Sequence, residues 1–178
     1  LSTYARPREL GWALGHSGVE VLLTANGYLG RHYPVELETA IPGLVGQRHG
    51  EIEVASHPDL TAVYVWNDTD RGWASTVEDL VADASGTTDT DLAVAEAAVS
   101  PDDPMLIMYT SGSTAEPKGV IHGHGAVVRH PYNILPFRDL FPGDVLYTPM
   151  PLFWVGGLTY TLVSAMHAGA TVVFEERF

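Results

Sequence analysis

A chain of 178 residues with 46% hydrophobic content is long enough to bury one compact core. Its formal net charge of −13, from 22 acidic against 9 basic residues, argues against nucleic acid or an anionic lipid surface as a partner, so any polyanion must be held by local donors. With no cysteine there are no disulfides, thiolate metal sites or cysteine nucleophile, and no apolar run approaches the ~20 residues of a membrane span.

Pro7 suits a first helical turn, and Leu10, Ala13 and Leu14 recur at helical spacing until Gly18 stops the run. A strand over Val19–Thr24 follows, then a turn through Asn26-Gly27-Tyr28-Leu29-Gly30. Tyr33, Leu37, Ala40 and Ile41 mark a second helix that Pro42 ends, and Thr61–Trp66 is the next strand. Ser75 and Glu78 read as a capping box opening a third helix through Val77, Leu80, Val81 and Ala84. That helix fades into an acidic, alanine-rich connector over 83–103, which lacks EF-hand spacing and reads, like Asp68-Thr69-Asp70, as solvated surface.

Met105–Tyr109 reads as a buried strand and Gly119–His122 as the strand leaving the loop between them. A helix starting at His124 is interrupted by Pro131 and Pro136, giving a short or kinked element, and 139–144 makes a turn. Strand Val145–Thr148 precedes a helix marked by Leu158, Leu162, Ala165 and Met166, closed by Gly169 before strand Thr171–Phe174. The alternation predicts an α/β fold, a layered and largely parallel sheet flanked by helices, with ligands near strand ends and their loops.

The most informative stretch is Tyr109-Thr110-Ser111-Gly112-Ser113-Thr114-Ala115-Glu116-Pro117-Lys118-Gly119, and Lys118 is the only lysine of the chain. Hydroxyl side chains alternate with a glycine whose backbone N–H can turn toward an anion, and a proline places a cation at the end of the turn, a pattern that suits polyphosphate. The spacing does not fit the Walker pattern, which argues against a P-loop kinase or GTPase. A plain glycine-serine turn is the bland alternative. His122 and His124 form a His-x-His pair that could hold a metal in a hydrolase, although no further ligands follow at later strand ends.

These residues resemble the adenylate-forming superfamily of acyl-CoA synthetases, luciferases and peptide-synthetase adenylation domains, whose phosphate loop reads Tyr-Thr-Ser-Gly-Ser/Thr-Thr-Gly-x-Pro-Lys-Gly. The match fails only at Ala115, where the family has its second glycine. Pro149-Met150-Pro151-Leu152-Phe153-Trp154-Val155-Gly156-Gly157 resembles a second family segment, Pro-x-Phe-His-x-x-Gly of the CoA-ligase branch, with Trp154 in place of the histidine. An indole there keeps an apolar wall and loses a titratable nitrogen; packing against a helix start is its structural alternative.

The resemblance implies that a carboxylate attacks the α-phosphate of ATP, giving an acyl-adenylate and pyrophosphate, and that the acyl group then passes to the thiol of CoA. It implies that Thr110, Ser111, Gly112, Ser113, Thr114, Lys118 and Gly119 hold the β- and γ-phosphates, that Lys118 and Thr110 act in catalysis, and that Thr110 or Ser111 approaches magnesium carried with ATP. Phe153, Trp154, Gly156 and Gly157 would border the acyl tunnel. No aspartate follows Pro149, which favours a plain carboxylic acid, expected to be a fatty acid, over an amino acid.

The resemblance covers nearly the whole chain and only the middle of the family's length, so the expectation is a single partial AMP-binding domain over 1–178. The family's ribose and adenine motifs and its second lysine, in a small C-terminal domain, fall outside these residues. An acyl-CoA synthetase fragment inactive by itself is therefore expected, in the cytoplasm, with exposed strand edges that favour self-association. The alternatives are a non-catalytic product that binds phosphate weakly and the His-x-His metal hydrolase.

Overall fold

The computed structural model describes residues 1–110 and 116–175. The chain divides into two compact units, one built from Thr3–Ala95 with Glu116 and Pro117, the other chiefly from Glu96–Thr110 and the residues from Lys118 onward.

In the first unit, α1 (Pro7–Ser17) begins where expected. Pro7 occupies the first turn, the Arg6 N–H donates to Glu9 Oε2 at 2.9 Å, and Gly18 ends the helix at φ 61°. Strand β1 (Val21–Ala25) leads into a two-residue hairpin of β2 (Gly27–Tyr28) and β3 (Arg31–His32). Leu29 and Gly30 both take positive φ there, 50° and 79°, the twist a tight hairpin demands. Helix α2 (Tyr33–Ala40) packs on α1 and stops before Pro42.

Strand β4 (Ala62–Trp66) runs parallel to β1, and the short β5 (Ser75–Thr76) extends the same sheet in parallel. Leu14, Leu37, Ile41, Leu44, Ile52, Val54, Leu60, Val63, Val65 and Trp73 close one core around these strands and the two helices. Two polar side chains, those of His57 and Glu38, fasten its margins. His57, itself buried, lies with Nε2 2.8 Å from the Gly11 carbonyl of α1. Glu38 of α2 accepts from Arg71 Nε at 2.7 Å and from the Trp73 indole N–H at 3.2 Å.

The capping box of α3 (Val77–Asp83) lies one residue beyond the expected pair. Thr76, not Ser75, accepts from the Asp79 N–H at 3.1 Å, and Asp79 rather than Glu78 returns the bond to the Thr76 N–H at 3.1 Å. The expected connector is also corrected, because it contains a ten-residue helix, α4 (Asp89–Ala98), all of whose residues are exposed. Thr88 and Asp91 box its start, the Asp91 N–H donating to Thr88 Oγ1 at 3.2 Å and the Thr88 N–H to Asp91 Oδ2 at 2.9 Å. Alanine propensity and acidic residues in the first turn favour this helix without any buried face.

In the second unit, β6 (Pro104–Thr110) and β7 (Lys118–Gly123) pair antiparallel. The buried strand expected at Met105–Tyr109 is only half covered: Met105 and Ile107 are exposed, alternating with the more protected Leu106 and Met108, because a two-stranded pair with a helix on it covers one face. That helix, α5 (His124–Ile134), runs through Pro131 instead of stopping at it. Pro131 and Val127, spaced one turn apart, are both buried, so packing offsets the amide bond that proline removes.

Strands β8 (Val145–Thr148) and β9 (Thr171–Phe174) pair in parallel, joined by a helical crossover. The crossover begins as a π-helix over Gly156–Val163, not the α-helix its spacing suggested, and continues as α6 (Ser164–Ala168), which Gly169 closes at φ 69°. The α/β expectation therefore holds, with parallel pairing in β1–β4–β5 and β8–β9 and antiparallel pairing in the two hairpins.

Candidate functional site

The hairpin β6–β7 places Thr110 opposite Lys118 and Tyr109 opposite Gly119 on its last rungs. The Thr110 hydroxyl donates a long bond of 3.5 Å to the Lys118 carbonyl, which holds the two strand ends together where the loop leaves and returns. Both residues are exposed, and among the described residues Lys118 makes no ion pair. A hydroxyl and an ammonium with no ion pair among the described residues thus belong to facing positions of the hairpin, a donor set that suits polyphosphate.

Ser111, Gly112, Ser113, Thr114 and Ala115 lie outside the described residues. Glu116, the acidic residue of the loop, is met by Arg8 of α1 in an exposed ion pair that the sequence did not suggest. Thr110 offers magnesium a single neutral oxygen, and among the described residues no group of three or more His, Asp or Glu could hold a metal. One hydroxyl suits an ion carried in on phosphate oxygens and does not suffice for a resident one. His122 lies on β7 opposite Leu106, while His124 opens α5 with its N–H donating to the Asp103 carbonyl at 3.1 Å. The metal-hydrolase alternative therefore finds no third ligand among the described residues.

The second group of expected residues sits after β8. Phe153 and Trp154 meet edge to face with ring centroids 5.7 Å apart, and Trp154 remains 46% exposed, so its indole is not a core plug. Gly156 and Gly157 open the π-helix where the backbone doubles back on Met150 and Pro151. A Cβ on Gly157 would be driven into the Pro151 carbonyl, and one on Gly156 would lie 2.9 Å from Met150 Sδ. Glycine is required here for close approach, not for backbone angle. Helix α5 packs on β6 and β7 and also on the π-helix and α6, so one element carries both groups.

Sequence reasoning passed over Arg138, in the turn after α5. Its guanidinium lies 3.8 Å from the centroid of the Tyr160 ring and donates to the Tyr160 carbonyl. Nothing in the spacing of the chain signals that contact, which depends on how the π-helix is wound.

The whole chain, residues 1–178, matches the family described as AMP-binding enzyme. It belongs to that family. Indoleacetate–CoA ligase of Aromatoleum aromaticum is 42% identical over 80 residues, 45% of this chain and 16% of that protein. The 4-coumarate–CoA ligase 2 of Oryza sativa subsp. japonica is 30% identical over 98% of this chain and 29% of its own length. Among solved structures, ATP-bound MatB of Rhodopseudomonas palustris superposes with a TM-score of 0.66 at 19% identity, covering 100% of this chain and 30% of that one. The chain thus spans less than a third of the length of these relatives. Among the described residues no helix is long and apolar enough to cross a membrane.

Proposed function

We propose that this chain supplies the triphosphate-holding part of an AMP-forming acid–CoA ligase, within a single AMP-binding domain of which residues 1–178 are a portion. The observation that carries the reading is the register of Thr110 with Lys118 at the mouth of the hairpin, in a chain of the AMP-binding family. The family's reaction brings two anions together, since a carboxylate oxygen attacks the α-phosphorus of ATP and pyrophosphate leaves. Its barrier falls when donors and positive charge neutralise the triphosphate and hold it in line.

In this reading the Lys118 ammonium and the Thr110 hydroxyl bind and orient the β- and γ-phosphates, together with Ser111, Gly112, Ser113, Thr114 and Gly119. Magnesium, when bound with ATP, would add charge neutralisation at those oxygens, and Thr110 is the described residue that would meet it. Phe153, Trp154, Gly156 and Gly157 border the acid, whose acyl carbon is then attacked by the thiol of CoA as AMP departs. Two relatives, ligases of indoleacetate and of 4-coumarate, support an acid with an apolar body, and a fatty acid is the expectation from sequence. ATP and CoA as co-substrates point to the cytoplasm.

A chain with one lysine holds the triphosphate without completing a reaction that needs a second one. Isotope exchange between pyrophosphate and ATP, with a carboxylic acid present, tests this division. The 178 residues are expected to bind MgATP competitively with pyrophosphate and to give no exchange. Robust exchange would overturn the division, and absence of competition would overturn the nucleotide reading. Self-association is supported by the exposure of Ile121 and Val145, 65% and 68%, on the two strand pairs. Sedimentation is expected to show dimers or larger species at high concentration, and a strictly monomeric boundary would refute them.

A further inference from the structure

The winding of 156–163 leaves an unresolved account at its junction with α6. In an α-helix the carbonyl of Tyr160 would accept from the N–H of Ser164, four residues on. Here the Ser164 N–H goes to the Thr161 carbonyl instead. The Ser164 hydroxyl, 0% exposed, has no hydrogen-bond partner. Its ordinary acceptor within a helix is also the carbonyl four residues back, again that of Tyr160. That carbonyl is occupied by the Arg138 guanidinium, whose plane also covers the Tyr160 ring at 3.8 Å.

Rewinding to α geometry would return the Ser164 N–H from the Thr161 carbonyl to that of Tyr160 and give the one unsatisfied group, the Ser164 hydroxyl, an acceptor there, at a carbonyl that Arg138 now holds. The π turn has a support of its own, since Thr161 Oγ1–H donates to the Gly156 carbonyl at 2.9 Å, five residues back, whereas Thr159 Oγ1–H donates to the Val155 carbonyl at 2.7 Å over the four residues usual in an α-helix. Isolated π segments are uncommon and concentrate at functional sites, where they re-aim side chains. A change from five-residue to four-residue bonding rotates everything before the junction relative to α6. Trp154, Gly156 and Gly157 lie on that moving side, with the two glycines packed against Met150 and Pro151.

We propose that Arg138 is a positioning residue that holds 156–163 in its π winding and so sets where the Trp154–Gly157 wall stands. As a determinant of acid selectivity, the proposal rests on the ligase reading above. As a statement about winding, it does not.

The test is NMR on the isotope-labelled chain, in which couplings across hydrogen bonds identify the acceptor of each amide from 160 to 166. Arg138→Gln is expected to move the region to four-residue bonding and to protect the Ser164 hydroxyl proton from exchange. Arg138→Lys, which keeps a cationic donor, is expected to retain the π pattern. Ser164→Ala is expected to leave wild-type winding unchanged, because its hydroxyl has no partner to lose, and to remove the protection gained in the Gln variant. Retention of the π pattern in Arg138→Gln, or its loss in Ser164→Ala alone, would overturn the proposal.

Quenching of tryptophan fluorescence by octanoate and by benzoate supplies the second readout. The ratio of the two affinities is expected to change at least threefold in Arg138→Gln and to return in Arg138→Lys. An unchanged ratio with changed winding would overturn the selectivity part. If winding switches while neither acid binds wild type, the inference about Arg138 stands and the ligase reading of the wall fails.

Discussion

Thr110 and Lys118 face each other on the last rung of an antiparallel pair, joined by a bond from the threonine hydroxyl to the lysine carbonyl at 3.5 Å. At that length the bond adds little to stability and leaves the hydroxyl available to a stronger acceptor. Thr110→Val is therefore expected to weaken MgATP binding about fivefold, the equivalent of one hydrogen bond of ~1 kcal/mol, with an unchanged melting temperature. Calorimetric titration and a thermal melt on the same preparation check both halves.

Gly157 has no space for a side chain, because the Pro151 carbonyl occupies the position of its Cβ. Gly157→Ala is expected to lower stability by about 1–3 kcal/mol through displacement of backbone. Gly86 has nothing within 4 Å of its Cβ position. Gly86→Ala, its control, is expected to be neutral or slightly stabilising in the same urea titration.

Glu38 accepts from the indole N–H of Trp73, a residue only 2% exposed. Glu38→Ala strands that donor and removes the partner of Arg71, with an expected loss of about 1–3 kcal/mol. Glu38→Gln keeps an acceptor oxygen and is expected to lose less. Equal denaturation midpoints for the two variants would remove the hydrogen bond from the explanation.

Asp79 is held at a pKa of about 2, against an ordinary 3.8, first by the hydroxyl of Ser75 and then by the hydroxyl and N–H of Thr76. A lowered carboxyl stabilises the folded state fully above its unfolded value and stops doing so as pH falls through the folded one. The start of α3 is thus expected to stay protected down to pH ~4 and to fray between there and pH ~2. Amide exchange at Asp79 across that range reads the loss, which Asp79→Asn should abolish.

Much of this was open to reading from residue patterns because the cues were local. Pro7 and Gly18 bound α1 as propensity predicts, and the hairpin around Lys118 follows from two apolar runs flanking a hydroxyl-rich loop. What escaped depends on partners far along the chain, or on the lack of them. Helix α4 has no buried face, so no apolar period betrays it, and only the Thr88–Asp91 pair could have flagged its start. Pro131 reads as a breaker until Val127 beside it is seen to be buried. The π winding after Gly156 involves an arginine 22 residues before Tyr160, a relationship no periodicity encodes.

The central claim is that the hairpin end at Lys118 holds a triphosphate. Titration of MgATP into the chain at low salt, with wild type beside Lys118→Ala, measures it directly. The account predicts saturable binding that pyrophosphate displaces and that weakens about 10- to 100-fold in the variant, the equivalent of ~1.5–3 kcal/mol for a bond to a charged group. Superimposable isotherms for the two proteins would contradict it.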